Sequence, residues 1–120
     1  MIVGTVSQSL SPCIDLRLVD GDGAEQLATA VVDTGYNGYL LLPRGVPEQL
    51  DYLSVGIMPA TLADGSTTQL SAFSGTIIWD NEEVPVLALE GDGEPLVGVR
   101  LLENRRLLID MRPEGRVEIS

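Results

Sequence analysis

The chain has 120 residues, 44% of them hydrophobic, and 18 acidic residues against 7 basic ones give a formal net charge of −11. That length allows one domain with a modest core, and that charge makes nucleic acid and acidic membrane surfaces poor partners, since both are held by clustered Lys and Arg. His and Lys are absent, which excludes Ser-His-Asp and Cys-His triads, Ser-Lys dyads, His-ligated zinc and the phosphate-loop lysine; chemistry here has to use carboxylates, hydroxyls, Arg or the single thiol, Cys13.

In chain order, short strands alternate with Gly and Asp turns, the pattern of an all-β domain. Met1 to Val6 alternates like an edge strand, with no secretory signal or membrane-spanning run in view, so an intracellular, cytoplasmic protein is expected. Cys13 to Val19 alternates well, and Cys13, without a disulfide partner or a cationic neighbour, reads as a small, at least half-buried hydrophobe. Asp20-Gly21-Asp22-Gly23 is a turn, and Gln26 to Val32 returns from it as the next strand. The same stretch hints at a calcium loop but lacks the glycine at its sixth position and the closing Glu. No metal site and no cofactor are expected.

The strand ending at Val32 runs directly into Asp33-Thr34-Gly35. Apolar strands do not ordinarily end on a bare carboxylate, because a desolvated charge costs several kcal/mol unless it is paired or hydrogen-bonded. Tyr39 to Leu42 follows as a short strand stopped by Pro43. Pro47 to Leu53 holds at most a helical turn. Pro59 to Ala63 and Thr67 to Leu70 form arms around Ala63-Asp64-Gly65-Ser66, a hairpin signal because glycine tolerates the positive φ of the turn. Thr76 to Trp79 and Val84 to Leu89 pair around Asp80-Asn81-Glu82-Glu83, with Trp79 expected in the core or on a sheet face. Leu96-Val97-Gly98 is a second apolar run ending in glycine. Val99 to Asn104 is a short helix, Leu107 to Met111 a buried strand, and Arg116 to Ile119 the last strand. Arg105-Arg106 reads as a solvated pair or a structural ion partner.

Taken together these stretches resemble the retropepsin-like aspartic proteases, the retroviral-type family, in the form found in bacterial members. The resemblance rests on Ala30 to Gly35, on Gly38-Tyr39-Leu40-Leu41-Leu42-Pro43 after it, on Ala63 to Ser66 where the family carries its flap, on Leu96 to Leu102, and on Leu108-Ile109-Asp110 with Gly115 to Ile119. It spans nearly the whole chain in the family's order, over residues 1–120. It implies an all-β, retropepsin-like acid-protease fold, a closed, barrel-like domain with one short helix near the C-terminus, assembled as a homodimer. It implies an aspartic endopeptidase whose catalytic residues are Asp33, Thr34 and Gly35, whose substrate-covering residues are Ala63, Asp64, Gly65 and Ser66, and whose substrate is an extended peptide. It also implies that the terminal strands help to form the dimer interface.

The chemistry supports a dimer. Hydrolysis by aspartate needs two carboxylates holding one water; the pair shares a proton, so that one acts as general base and the other as general acid. One Asp-Thr-Gly per chain supplies half of this, and a two-fold axis supplies the rest. Two positions depart from the retroviral pattern. Tyr36 stands where a small residue follows the motif, and Val99 intervenes between Gly98 and Arg100, where the family's helix has Arg directly after glycine. These departures support an alternative, a catalytically weak or inactive dimerisation or peptide-binding module on the same fold. A purely structural oligomerisation domain gives no reason for the carboxylate at position 33.

Overall fold

The structure, a computed structural model, describes residues 1–62 and 64–120. Among the described residues ten strands and two single-turn helices follow in the order β1 (Ile2–Val6), β2 (Pro12–Val19), β3 (Glu25–Val32), β4 (Leu40–Pro43), α1 (Val46–Gln49), β5 (Leu53–Thr61), β6 (Thr67–Trp79), β7 (Glu82–Gly91), β8 (Leu96–Val97), α2 (Val99–Leu102), β9 (Leu107–Ile109) and β10 (Arg116–Ile119). The fold is all-β, as its alternating strands and turn residues predict.

All ten strands join one sheet, ordered β5-β6-β7-β4-β8-β3-β2-β1-β10-β9, and an additional pairing of β6 with β2 closes part of it. In that pairing Arg17, Leu18 and Val19 lie opposite Ile78, Ile77 and Thr76. The strands β2, β3, β8, β4, β7 and β6 thus form a closed ring. Its interior is filled by side chains that alternate inward along each strand: Ile14, Leu16 and Leu18 from β2, Ala30 and Val32 from β3, Leu40 and Leu42 from β4, Ile77 and Trp79 from β6, Val86 and Ala88 from β7. Trp79 is therefore a core residue, and Cys13 is half-buried.

Two hairpin-like appendages leave the ring. On one side β1 and β10 extend β2, with Ile2 opposite Ile119 and Thr5 opposite Arg116. The edge position expected for the first strand is thereby corrected: β1 lies between β2 and β10, because the last strand returns antiparallel along it. The edge falls instead to β9, expected to be buried. Leu107 and Ile109 are half-buried, while Leu108 and Met111 are exposed, since β9 pairs on one side only.

On the other side the hairpin β5–β6 projects past the ring. β7 accompanies β6 only from Ala72 onward, so Thr67 to Ser71 pair with β5 alone. This arm is longer than the sequence predicts, because β6 runs 13 residues straight through Ser74-Gly75, where glycine makes room for the Tyr52 ring. A two-stranded arm has few apolar contacts and belongs to the low-stability end of a fold.

Candidate active site

Asp33 sits where β3 leaves the ring. Parallel pairing of Val31 and Val32 with Leu96 and Val97 carries the two strands side by side to the same end. The Asp33 N–H donates to the Val97 carbonyl at 2.9 Å, so the residue is held by the backbone of β8. Its carboxylate turns back over its own loop and accepts the Gly35 N–H at 2.8 Å through Oδ1. Asp33 is half-buried, and Thr34 and Gly35 are exposed beside it. The carboxyl group at the end of this apolar strand is thus partly solvated and hydrogen-bonded, which is how a buried-strand terminus tolerates it.

The loop after the motif is tied to the turn after β8. Gly98 N–H donates to Tyr39 O at 3.0 Å, Val99 N–H to Tyr36 O at 3.0 Å, and Arg100 N–H to Gly38 O at 3.2 Å. Glycine is required at position 98 by close approach: a Cβ there would lie 2.2 Å from Gly38 O and 2.6 Å from the Tyr36 ring. Backbone groups make these three ties, and the Arg100 side chain is exposed.

Tyr36 is buried and packs with Ala60, Ala72 and Leu89, flanked by Leu41, Leu70, Leu87 and Leu96. Its hydroxyl donates to Leu40 O at 3.3 Å, and burial pushes its pKa up to about 12. The bulky residue after the motif therefore braces the loop from beneath and links it to the projecting hairpin. Tyr36 and Gly38 are positioning residues that the motif alone does not single out, and a Cβ at Gly38 would lie 2.5 Å from the Tyr36 hydroxyl.

The hairpin tip closes through Leu62 N–H to Ser66 O at 2.8 Å and Gly65 N–H to Leu62 O at 2.9 Å. Asp64 Oδ1 accepts the Ser66 hydroxyl at 2.5 Å and the Ser66 N–H at 2.9 Å, and the hydroxyl holds its carboxyl below the usual range. Gly65 has φ 85°, as a tight turn demands. Ala63 lies outside the described residues. A cavity of about 50 Å³ is lined by Asp33, Gly35 and Tyr36 on the loop side and by Ala60, Thr61, Leu62 and Leu70 on the hairpin side. The end of the arm therefore stands across a cavity from the Asp33 loop, while Asp64, Gly65 and Ser66 form the exposed tip beyond it. Among the described residues no group of three or more His, Cys, Asp or Glu could hold a metal ion.

The arrangement offers one carboxylate, positioned by backbone bonds, across a cavity from a hairpin with a free edge. No protein-family model and no curated protein matches this chain. Among solved structures, a retropepsin-like aspartic protease from Rickettsia conorii is similar, with a TM-score of 0.61 and 14% identity, over 98% of this chain and 87% of that one. At that identity the likeness shows the fold: an all-β, retropepsin-like architecture built on a closed sheet.

Proposed function

We propose that this chain is an aspartic endopeptidase that acts as a homodimer. The observation that carries the reading is the placing of Asp33: a half-buried carboxylate, fixed by Val97 and Gly35, that lines a cavity across from the projecting hairpin. In the proposed dimer the two Asp33 carboxylates meet at the two-fold axis and share one proton. The ionised member takes a proton from the bound water as it attacks the scissile carbonyl; the protonated member donates to the carbonyl oxygen. The proton then passes to the leaving amine as the tetrahedral species collapses. Thr34 and Gly35 position the dyad. The hairpin bearing Ala63, Asp64, Gly65 and Ser66 covers an extended peptide by pairing with its backbone, and its few supporting contacts let it open.

Cleavage of casein between pH 3 and 8 tests this, comparing the native chain with Asp33→Asn at matched high concentration. Loss of cleavage in the variant is expected. Equal cleavage by both would remove Asp33 from the chemistry, and no cleavage by either would leave the fold as a peptide-binding module.

A further inference from the structure

A second concavity adjoins the first and has a different character. It measures about 440 Å³ and is lined by Tyr36 to Tyr39 on the loop, Met58 and Pro59 on β5, Leu87 and Leu89 on β7, and Arg100 on α2. The two cavities lie between the same two walls. The loop contributes Asp33, Gly35 and Tyr36 to the first and Tyr36 to Tyr39 to the second; β5 contributes Met58 and Pro59 to the second, Ala60 and Thr61 to the first. They are successive stations of one cleft, and Tyr36 is the wall they share.

The second station is mixed in character, with Asn37 and the Tyr36 to Tyr39 loop beside Met58, Pro59, Leu87 and Leu89, and it carries one charge. Tyr39 and Met58 are among the large hydrophobic residues left exposed in the chain. Arg100 is the only ionisable acid or base in the lining apart from the two tyrosines. Four of the seven arginines meet carboxylates, Arg17 with Glu25, Arg44 with Asp92, Arg105 with Asp80 and Arg116 with Glu118, while Arg106 and Arg112, which do not line this groove, form no ion pair among the described residues. Among the described residues Arg100 has no such partner. The loop is held by backbone bonds, and the exposed Arg100 lines the groove without a carboxylate partner. A guanidinium prefers a carboxylate, which it can grip through two parallel N–H donors.

We infer that Arg100 is a specificity-determining residue, and that this groove takes a glutamate or aspartate side chain of the extended peptide. The inference rests on the proposed peptide-binding reading of the Asp33 cleft. Met58, Pro59, Leu87 and Leu89 receive the methylene stem and Arg100 the carboxylate. β5 advances from the second station to the first over Met58 to Thr61, and a strand rises about 3.3 Å per residue. The acidic side chain therefore stands roughly two to four residues from the bond at Asp33.

The test is a random library of peptides with both ends blocked. Native, R100Q, R100K and R100E chains are compared by cleavage, with sites read by mass spectrometry. The same library is captured on each of these chains carrying Asp33→Asn. The native chain should favour Glu over Gln about tenfold at one fixed position near the cleaved bond. R100K should keep the preference, R100Q should lose it and R100E should turn it toward Lys and Arg. Arg100 is exposed, so these variants are expected to fold; should R100E not, the contrast of R100K with R100Q still decides. Cleavage without an acidic preference, or a preference unchanged in R100Q, overturns the inference and leaves the protease reading standing. If nothing is cleaved, the protease reading fails by itself and capture decides: an acidic preference dependent on Arg100 upholds the inference, whereas capture without that bias, or no capture, overturns it. A preference that appears only when the C-terminus is unblocked also overturns it, since the groove would then hold a chain end.

Discussion

Gly98→Ala separates steric necessity from conformational preference at the joint that holds the site. Gly98 has φ −96° and ψ 179°, extended backbone open to any residue, so an alanine there suffers no backbone strain. Its cost is contact. The new Cβ would lie 2.2 Å from Gly38 O, 2.6 Å from the Tyr36 ring and 2.8 Å from Tyr36 O, and two of these atoms are backbone that cannot rotate away. Relief requires the loop from Tyr36 to Tyr39 to move off the turn, which loosens the three bonds from Gly98, Val99 and Arg100. Overpacking costs about 1–3 kcal/mol, and weakened backbone hydrogen bonds about 1 kcal/mol each, so a loss of roughly 3–5 kcal/mol is expected. For a domain of this size that lowers Tm by roughly 10–20 °C. Gly91→Ala is the control: its Cβ would meet Leu41 Cδ1 at 3.2 Å, the movable end of a side chain, and a loss of under about 1 kcal/mol is expected. Calorimetry or thermal circular dichroism reads both. A Gly98→Ala chain that melts within about 3 °C of native, alongside Gly91→Ala, would refute the close-approach argument.

Two further outcomes follow from the same geometry. Burial raises the pKa of Tyr36 and of Tyr52 to about 12, whereas an unfolded chain ionises tyrosine near 10. Only the unfolded state loses these protons between those values. The contribution of these two tyrosines to stability is then flat below pH 10 and falls above it by up to about 1.4 kcal/mol per pH unit for each. Urea titrations from pH 9 to 11 should show that slope, halved in Tyr36→Phe; a flat profile would contradict the burial of these hydroxyls. Gly65→Val forces a β-branched residue to φ 85° at the hairpin tip. Because the arm is supported by two strands alone, Tm should move by only about 2 °C, while kcat/KM for peptide cleavage drops roughly tenfold. A large Tm loss with unchanged kinetics would mean that the arm is structural and does not cover substrate.

Local patterns were legible in the sequence where neighbours in the chain decide them. Alternation in Ile14, Leu16 and Leu18 against Asp15 and Arg17 marks β2, Asp64-Gly65 marks the hairpin tip, and the runs into Asp33 and Gly98 mark the two strands that lie together. Closure of the sheet was not legible, because it depends on Arg17 to Val19 meeting Thr76 to Ile78, strands far apart in the chain. Nor was the rank of the outer strands. Leu107-Leu108-Ile109 is as apolar as a buried strand, but pairing on one side leaves Leu108 in solvent. Tyr36 and Arg100 read in the sequence as departures from a pattern. Their meaning depends on direction: Tyr36 turns inward against Gly38 and Gly98, and Arg100 lines the groove.

The central claim is that one chain carries half of a catalytic dyad. The most direct measurement mixes native and Asp33→Asn chains at constant total concentration, lets subunits exchange, and follows peptide cleavage. If both carboxylates are needed at one site, an equal mixture retains about one quarter of the native rate, the share of dimers with two native chains. A mixture retaining about one half would mean that each chain works alone, and the account of a site completed by a second copy would be wrong.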